Sequence, residues 1–212
     1  MTEMRIESNP KWIRGVRDGR TVVDTRDAKF VWSHPYYPWW YIPTADIADD
    51  SLPGETIDEL PDHLKVDWDA VDHWFEEDVE VFVHPRDPYK RIDTLPSSKH
   101  VVVRIDGQVV ADSHKPTILY ETSLPPRYYL PLTDVRLDLL TPTTTESGCP
   151  YKGWAHYWTA TVDGSEHVDI AWGYRTPLPE SEAIAGMVCF YNEKVDIEID
   201  GESIERPQTK FS

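Results

Sequence analysis

"DGRTVVDTRDAKFVWSHPYYPWWYIPTAD" (residues 18–46) recurs 88 residues later, without a gap, as "DGQVVADSHKPTILYETSLPPRYYLPLTD" (106–134). Eight of the 29 positions are identical: Asp18/Asp106, Gly19/Gly107, Val22/Val110, Asp24/Asp112, Pro38/Pro126, Tyr41/Tyr129, Pro43/Pro131 and Asp46/Asp134. Trp32/Tyr120, Trp40/Tyr128 and Ile47/Val135 are conservative exchanges in the same frame. Self-similarity at one fixed offset is the mark of an internal structural repeat.

Each copy sets Asp-Gly between two β-rich runs, as in "HVVVRI" and "QVVADS" of the second copy. Both residues of a two-residue type I′ hairpin take positive φ, which suits Asp-Gly. A strand such as "TILYE" (117–121) follows, then a Pro-Tyr segment that must be extended or turning, because proline blocks helix and restricts its predecessor. Further on, "WAHYWTATV" (154–162) alternates: Trp154, His156, Trp158, Ala160 and Val162 share one strand face, and Ala155, Tyr157, Thr159 and Thr161 the other. "DGSE" turns the chain into "HVDIAWGY" (167–174). A short helical turn is expected over 179–186, and strands over 187–192 and 195–199.

The 18 prolines and 10 glycines argue against long helices, while 40% hydrophobic and 12% aromatic content support a folded core. The expected fold class is therefore mainly β: two related antiparallel β-rich lobes with few short helices. The expected division is a degenerate N-terminal repeat over 1–95 and a complete C-terminal repeat over 96–212, with the break near 93–99. The first copy departs from the plan after Asp46. Residues 46–80 hold 14 acidic residues against the single Lys65. Within them, Trp68, Val71 and Phe75 are spaced for a short amphipathic helix. "VEVFVHP" (79–85) aligns loosely with "MVCFYN" (187–192), Phe82 opposite Phe190.

A net charge of −17 repels phosphate backbones and anionic lipid heads, so neither nucleic acid nor a membrane surface is an expected partner. "MTEMRIESNPKW" (1–12) has no apolar signal segment, and no apolar run nears the roughly 20 residues of a membrane helix. Two cysteines, Cys149 and Cys189, fit a reducing, cytoplasmic setting better than a disulfide scaffold. Oligomeric state is not read from the sequence.

"RIDGQVVADS", "YYLPLTDV", "CPYKGWAHYW", "AWGY" and "AIAGMVCFYNEKVDIEIDGE" stand in the order and spacing of the domain-of-unknown-function family 427. The resemblance spans about 100–204, and more loosely 12–93, so the chain resembles a tandem, two-copy form. It implies an antiparallel β fold of the β-tent type and little about activity. A nucleotidyltransferase-like heading sometimes applied to the family finds no support in these residues. No Gly-Ser precedes paired strand aspartates, and the one Asp-x-Asp, Asp67 to Asp69, falls at the expected helix start. Many β-tent proteins hold zinc by two Cys-x-x-Cys knuckles; this chain has none, so that site should be absent.

"GCPYKGWAHYW" (148–158) has no counterpart in the first copy and gathers the candidate chemistry. Cys149 is a candidate nucleophile, with Lys152 favouring the thiolate and His156 as base if the chain folds back. The alternative is a tight loop with Cys149 as a small half-buried hydrophobe; Cys189 reads as core. Lys152 and Arg127 could hold an anion, or be a surface lysine and an arginine stacked on tyrosine. Glu121 ends an apolar strand, either as a buried acid or as its solvent-facing end; the first copy has Ser33 there. Tyr128, Tyr129, Trp154, Trp158, Trp172 and Tyr174 either line a pocket for a planar ligand or build core and lobe packing. With "YYPWWY" (36–41), they are dense enough to suggest aromatics shared between lobes. No local metal motif is present, because the eight histidines lack His-Glu-x-x-His or His-x-His spacing and the acidic stretch lacks a calcium loop; no metal ligand is assigned, and a metal site, with a metal-dependent enzyme as a third reading, would need long-range convergence. No cofactor is expected, because no phosphate-cradling glycine loop or Gly-x-Ser-x-Gly elbow is present. The leading expectation is a protein that binds, or acts on, a small molecule in the C-terminal lobe or between the lobes. The rival is a non-catalytic module docking a basic partner on its acidic face.

Overall fold

The computed structural model describes residues 4–212, so the first three residues of the N-terminal stretch lie outside it. The chain divides into two compact units, one ending at Pro88 and the other running from Tyr89 to Ser212. The first holds β1 (Arg5–Ser8), β2 (Ile13–Arg17), β3 (Arg20–Thr25), β4 (Lys29–Trp32), β5 (Trp39–Pro43), β6 (Gly54–Ile57), β7 (Leu60–Val66), β8 (His73–Glu76) and β9 (Val79–Val81). The second holds β10 (Ile92–Pro96), β11 (Val101–Ile105), β12 (Gln108–Ser113), β13 (Thr117–Glu121), β14 (Arg127–Leu130), β15 (Leu140–Cys149), β16 (Gly153–Val162), β17 (Ser165–Tyr174), β18 (Val188–Phe190), β19 (Asp196–Ile199) and β20 (Glu202–Ile204). All strand pairing is antiparallel, apart from one parallel bridge between Tyr174 and Ala185. The described helices are short 3-10 segments, and none is long and apolar enough to cross a membrane. The fold is mainly β, as the hairpin signals and proline content required.

Each unit packs two sheets around a main core. In the first unit the sheets run β1-β4-β5-β7-β6 and β3-β2-β8-β9; in the second, β10-β13-β14-β18-β17-β16-β15 and β12-β11-β19-β20. Ile13, Val23, Phe30, Ile42 and Trp74 meet in the first core, and Val101, Val103, Leu130, Val188 and Phe190 in the second. Burying each such side chain contributes about 1.5–3 kcal/mol. The unit boundary precedes the expected break because β10 pairs along its whole length with β13 and so belongs to the second unit.

The offset of 88 holds in three dimensions. Pairs Arg5/Trp32, Lys29/Tyr41 and Ile13/Thr25 correspond to Asp93/Tyr120, Thr117/Tyr129 and Val101/Ser113. The bulge after Gly15 recurs after Val103, and the two Asp-Gly turns carry positive φ at both residues, Asp18-Gly19 and Asp106-Gly107. The identity Asp46/Asp134 also has a cause. The Thr25 hydroxyl donates to Asp46 Oδ2 at 2.6 Å, and the Ser113 hydroxyl donates to Asp134 Oδ2 at 2.6 Å. Each ties a 3-10 turn back onto its hairpin.

Two expectations fail in the first unit. The expected helix over 66–78 is a single 3-10 turn, Trp68–Ala70, followed by strand β8. Val71 packs in the core with Trp68 against it, but Phe75 alternates with the buried Trp74 along β8, and it is Trp68 and Trp74 that join Trp40 in one aromatic cluster, at centroid distances of 5.5–5.8 Å. That cluster lies in the first unit's own core, so the tryptophans need no second lobe to bury them. "VEVFVHP" does not correspond to "MVCFYN" either. Strands β8 and β9 match β19 and β20 at an offset of 123, since Ile13/Glu76 corresponds to Val101/Ile199 and the positive-φ Glu77 to Asp200. The change of offset from 88 to 123 is a net insertion of 35 residues in the second unit, where β15 to β18 stand in place of β6 and β7.

Gly173, in the middle of β17, is fixed by packing. A Cβ there would lie 2.3 Å from the Met187 carbonyl oxygen. At Gly107 the added Cβ meets open space and only the φ of +83° is strained. Gly107→Ala should therefore cost about 1–2 kcal/mol, and Gly173→Ala the upper end of the ~1–3 kcal/mol of overpacked sites or more. Urea unfolding of the two variants checks the order.

Candidate functional site

The seven-stranded sheet of the second unit has apolar side chains on both faces. Leu130, Ala160, Val188 and Phe190 face the main core. Leu119, Tyr129, Ala155, Trp172, Tyr174, Ile184 and Cys189 form a second cluster. The cluster runs across the strands from β13 to β16, and the sheet curls enough for Glu121, at the end of β13, to meet Lys152 between β15 and β16.

The β15–β16 hairpin ends at this curl. Cys149 pairs across it with Gly153, Ser147 with Ala155, and Ala155 with Tyr174. Residues directly opposite on a pleated sheet share a face, so Cys149 stands on the side of Tyr174, Trp172 and Tyr129. The loop is held by the Lys152 N–H donating to the Cys149 carbonyl and the Leu178 N–H donating to the Lys152 carbonyl. Gly153 closes it at a φ of +93°. The Lys152 ammonium donates to Glu121 Oε2 at the end of β13, with side-chain exposures of 12% and 9%. Burial works against the charged ammonium. The neighbouring Cys149 sulfur and the Glu121 carboxylate outweigh it, and the Lys152 pKa lies above its ordinary value. Cys149 is a free, half-buried cysteine beside this ion pair.

Two phenols lie at this site. Tyr129 is fully buried and accepts from Trp172 Nε1 at 3.1 Å. Burial, with Cys149 and Glu121 nearby, pushes the Tyr174 hydroxyl pKa well up. Tyr129 is raised chiefly by burial as well. Both stay protonated. On the same face Ser147 Oγ and Tyr157 Oη lie 2.7 Å apart.

The expected site residues thus divide. Cys149, Lys152, Glu121, Tyr129 and Trp172 converge. His156 does not: it pairs across the hairpin with Glu146, on the opposite face from Cys149, and its Nδ1 lies 3.0 Å from Glu146 Oε1. It cannot serve as the Cys149 base there. Trp154 shares that opposite face and is exposed, and Tyr128 packs against the main core. Arg127 is on the right face but committed elsewhere. Its two terminal nitrogens donate to both Glu193 oxygens at 2.7 Å, and Glu193 also accepts from the Thr209 hydroxyl at 2.6 Å. Arg127 and Glu193 are buried, with the guanidinium 5.6 Å from the Trp172 ring centroid. Arg127 is structural, not an anion receptor.

Sequence spacing missed a further group. Among the described residues, His100, Asp112 and His114 offer nitrogen and oxygen atoms within 4.8 Å of one another. Asp112-x-His114 alone puts two ligand types on one strand face; His100 joins through hairpin register.

The buried Arg127–Glu193 pair gives two checks. Removing one partner of such a pair costs about 3–5 kcal/mol, while replacing both by apolar residues can be neutral. Arg127→Leu should destabilise by that amount and Arg127→Leu/Glu193→Leu by much less, in urea titrations at pH 7. Burial acts to raise the Glu193 pKa, but the Arg127 and Thr209 hydrogen bonds outweigh it and hold it below its ordinary 4.5. Its contribution is therefore present above that value and lost as pH falls through the lowered one. Glu193→Gln should flatten the stability loss below pH 4.5.

The model of the family described as "Domain of unknown function (DUF427)" matches residues 5–59 and 93–201, two segments that begin 88 residues apart. No curated protein matches the chain. The matched segments cover most of the sequence, including the Asp18-Gly19 and Asp106-Gly107 hairpins and the hairpin that carries Cys149 and Lys152, and the chain belongs to domain-of-unknown-function family 427.

Proposed function

We propose that the second unit binds a small anionic molecule at the Cys149–Lys152–Glu121 end of its curled sheet, with Lys152 as the anchoring cation and Cys149 as the group that meets the ligand. One observation carries this reading. A cation, a carboxylate and a thiol from two separate strand ends meet in a largely buried cluster, although buried charges are costly to hold. The position of Glu121 is Ser33 in the first unit, where the β15–β16 hairpin has no counterpart. Glu121 occupies the ammonium in the resting protein, and an incoming carboxylate or phosphate displaces it.

Screening nucleotides and small carboxylates by thermal shift tests the proposal. A ligand should raise the melting temperature of the wild type and of Cys149→Ser, but not of Lys152→Met/Glu121→Gln, which removes both charges together. If no compound stabilises the wild type, the reading fails. Thiol chemistry adds a second check. Iodoacetamide should label Cys149 and spare Cys189, which is buried and whose pKa burial pushes up to about 12.

The second reading rests on the exposed carboxylates of the β6–β7 hairpin, Glu55, Asp58, Glu59 and Asp62, as a dock for a basic partner. Such a complex should dissociate steeply with salt. A pull-down that persists at 1 M salt (a Debye length of about 3 Å) would rule the acidic face out.

A further inference from the structure

We propose that His100, Asp112 and His114 form a binding site for one borderline divalent cation of the Zn²⁺, Co²⁺ or Ni²⁺ kind, on the outer face of the second unit's four-stranded sheet. This site is separate from the Cys149 cluster and does not depend on how that cluster is read.

The register builds it. Val101 pairs with Ser113 and Val102 with Asp112, which brings His100 opposite His114 at the open end of the β11–β12 hairpin. Val101, Val103, Ala111 and Ser113 point into the core. The alternate residues His100, Asp112 and His114 therefore share the outer face. The imidazoles stack at a centroid distance of 4.0 Å with 15° between their planes. His100 Nε2 lies 2.7 Å from Asp112 Oδ1, and the His100 backbone N–H is fixed by Asp200 Oδ1 at 2.9 Å. The donor atoms lie within 4.8 Å of one another. Around a tetrahedral ion with bonds of about 2.0–2.2 Å, they would sit roughly 3.5 Å apart. Half-exposed and exposed side chains at a hairpin end can close that gap by rotation. The ion would replace the proton between His100 and Asp112.

Two imidazoles and one carboxylate select borderline transition metals over Mg²⁺ or Ca²⁺, which take oxygen donors. Three protein ligands leave a coordination position for water or a ligand. The first unit is a built-in contrast. At the offset of 88 the same positions are Trp12, Asp24 and Arg26. Trp12 Nε1 donates to Asp24 Oδ1 at 2.6 Å, and the Arg26 guanidinium lies 4.6 Å from the Trp12 ring centroid. The ring-to-carboxylate hydrogen bond is thus common scaffold. In the second unit both of its neighbours have become imidazoles, which keep the bond and add two metal donors.

Chelator-treated full-length protein, titrated with Zn²⁺ by calorimetry and with Co²⁺ by absorption, tests this. The expected result is one equivalent bound, with Co²⁺ d–d bands and no thiolate charge-transfer band. His114→Ala, Asp112→Asn and His100→Gln should each weaken binding at least about tenfold, the scale on which even outer-sphere changes act. His100→Gln keeps a donor for Asp112, so a folding defect is not expected to confuse the result. His73→Ala, which removes an exposed histidine paired with Glu80 in the first unit, should leave affinity unchanged. One-to-one binding that survives His114→Ala, a thiolate band pointing to Cys149, or no binding at millimolar metal would each overturn the proposal.

Discussion

A sheet with apolar side chains on both faces must be covered twice, and the second unit is organised around that constraint. Its four-stranded sheet covers one face of the seven-stranded sheet, through Val101, Val103 and Ile197. The second unit has no third sheet of its own among the described residues to cover Tyr129, Trp172, Tyr174 and Cys189. The sheet instead curls over itself, Ile184 from the 3-10 segment Pro179–Ile184 fills the concave side, and Phe211 packs on Tyr191. Curling carries the ends of β13 and of the β15–β16 hairpin inward. The charges at those ends then lose water and must pair, which is why Glu121 meets Lys152; Arg127 of β14 is likewise buried and meets Glu193. The candidate site is a consequence of covering the second face.

The paired charges differ in what they leave over. Arg127 and Glu193 match fork to fork, and Thr209 takes up a remaining lone pair, so that network is closed. Lysine is a point charge with three donors and no fixed fork. Glu121 and the Cys149 sulfur both lie against Lys152. The more adaptable cation therefore sits beside the Cys149 sulfur, and the rigid one sits under Trp172.

Much of this fold was legible because its signals are local. Asp106-Gly107 announces a hairpin whatever surrounds it, and 154–162 alternates cleanly enough to give both faces of β16. Trp68, Val71 and Phe75 misled because a short turn followed by a four-residue strand reproduces a helical spacing, although it is Trp74 and not Phe75 that turns into the core. The site was legible in part: Cys149, Lys152 and Glu121 were picked out by type and by absence from the first copy. His156 failed because seven residues across a hairpin say nothing about parity until the register is known. Once Cys149 pairs with Gly153, His156 falls on the other face. His100 and His114 were missed for the same reason in reverse, since only the register makes them neighbours.

The two units share backbone hydrogen bonds down to the 3-10 turns, so the differences between them are informative. Arg136 N–H donates to the Val110 carbonyl as Ala48 N–H does to Val22, although the side chains are unrelated. The scaffold thus constrains main chain and leaves outward positions free. Where Trp12, Arg26 and Ser33 stand in the first unit, His100, His114 and Glu121 stand in the second. Each exchange replaces a group that does not titrate near neutral pH, or an arginine, by one able to bind metal or exchange a proton. The 35-residue insertion adds the thiol and lysine to the same unit. Two units on one frame allow such a division: one keeps aromatic and arginine packing at these positions, and in the other the same hydrogen-bonded frame holds His100, His114 and Glu121.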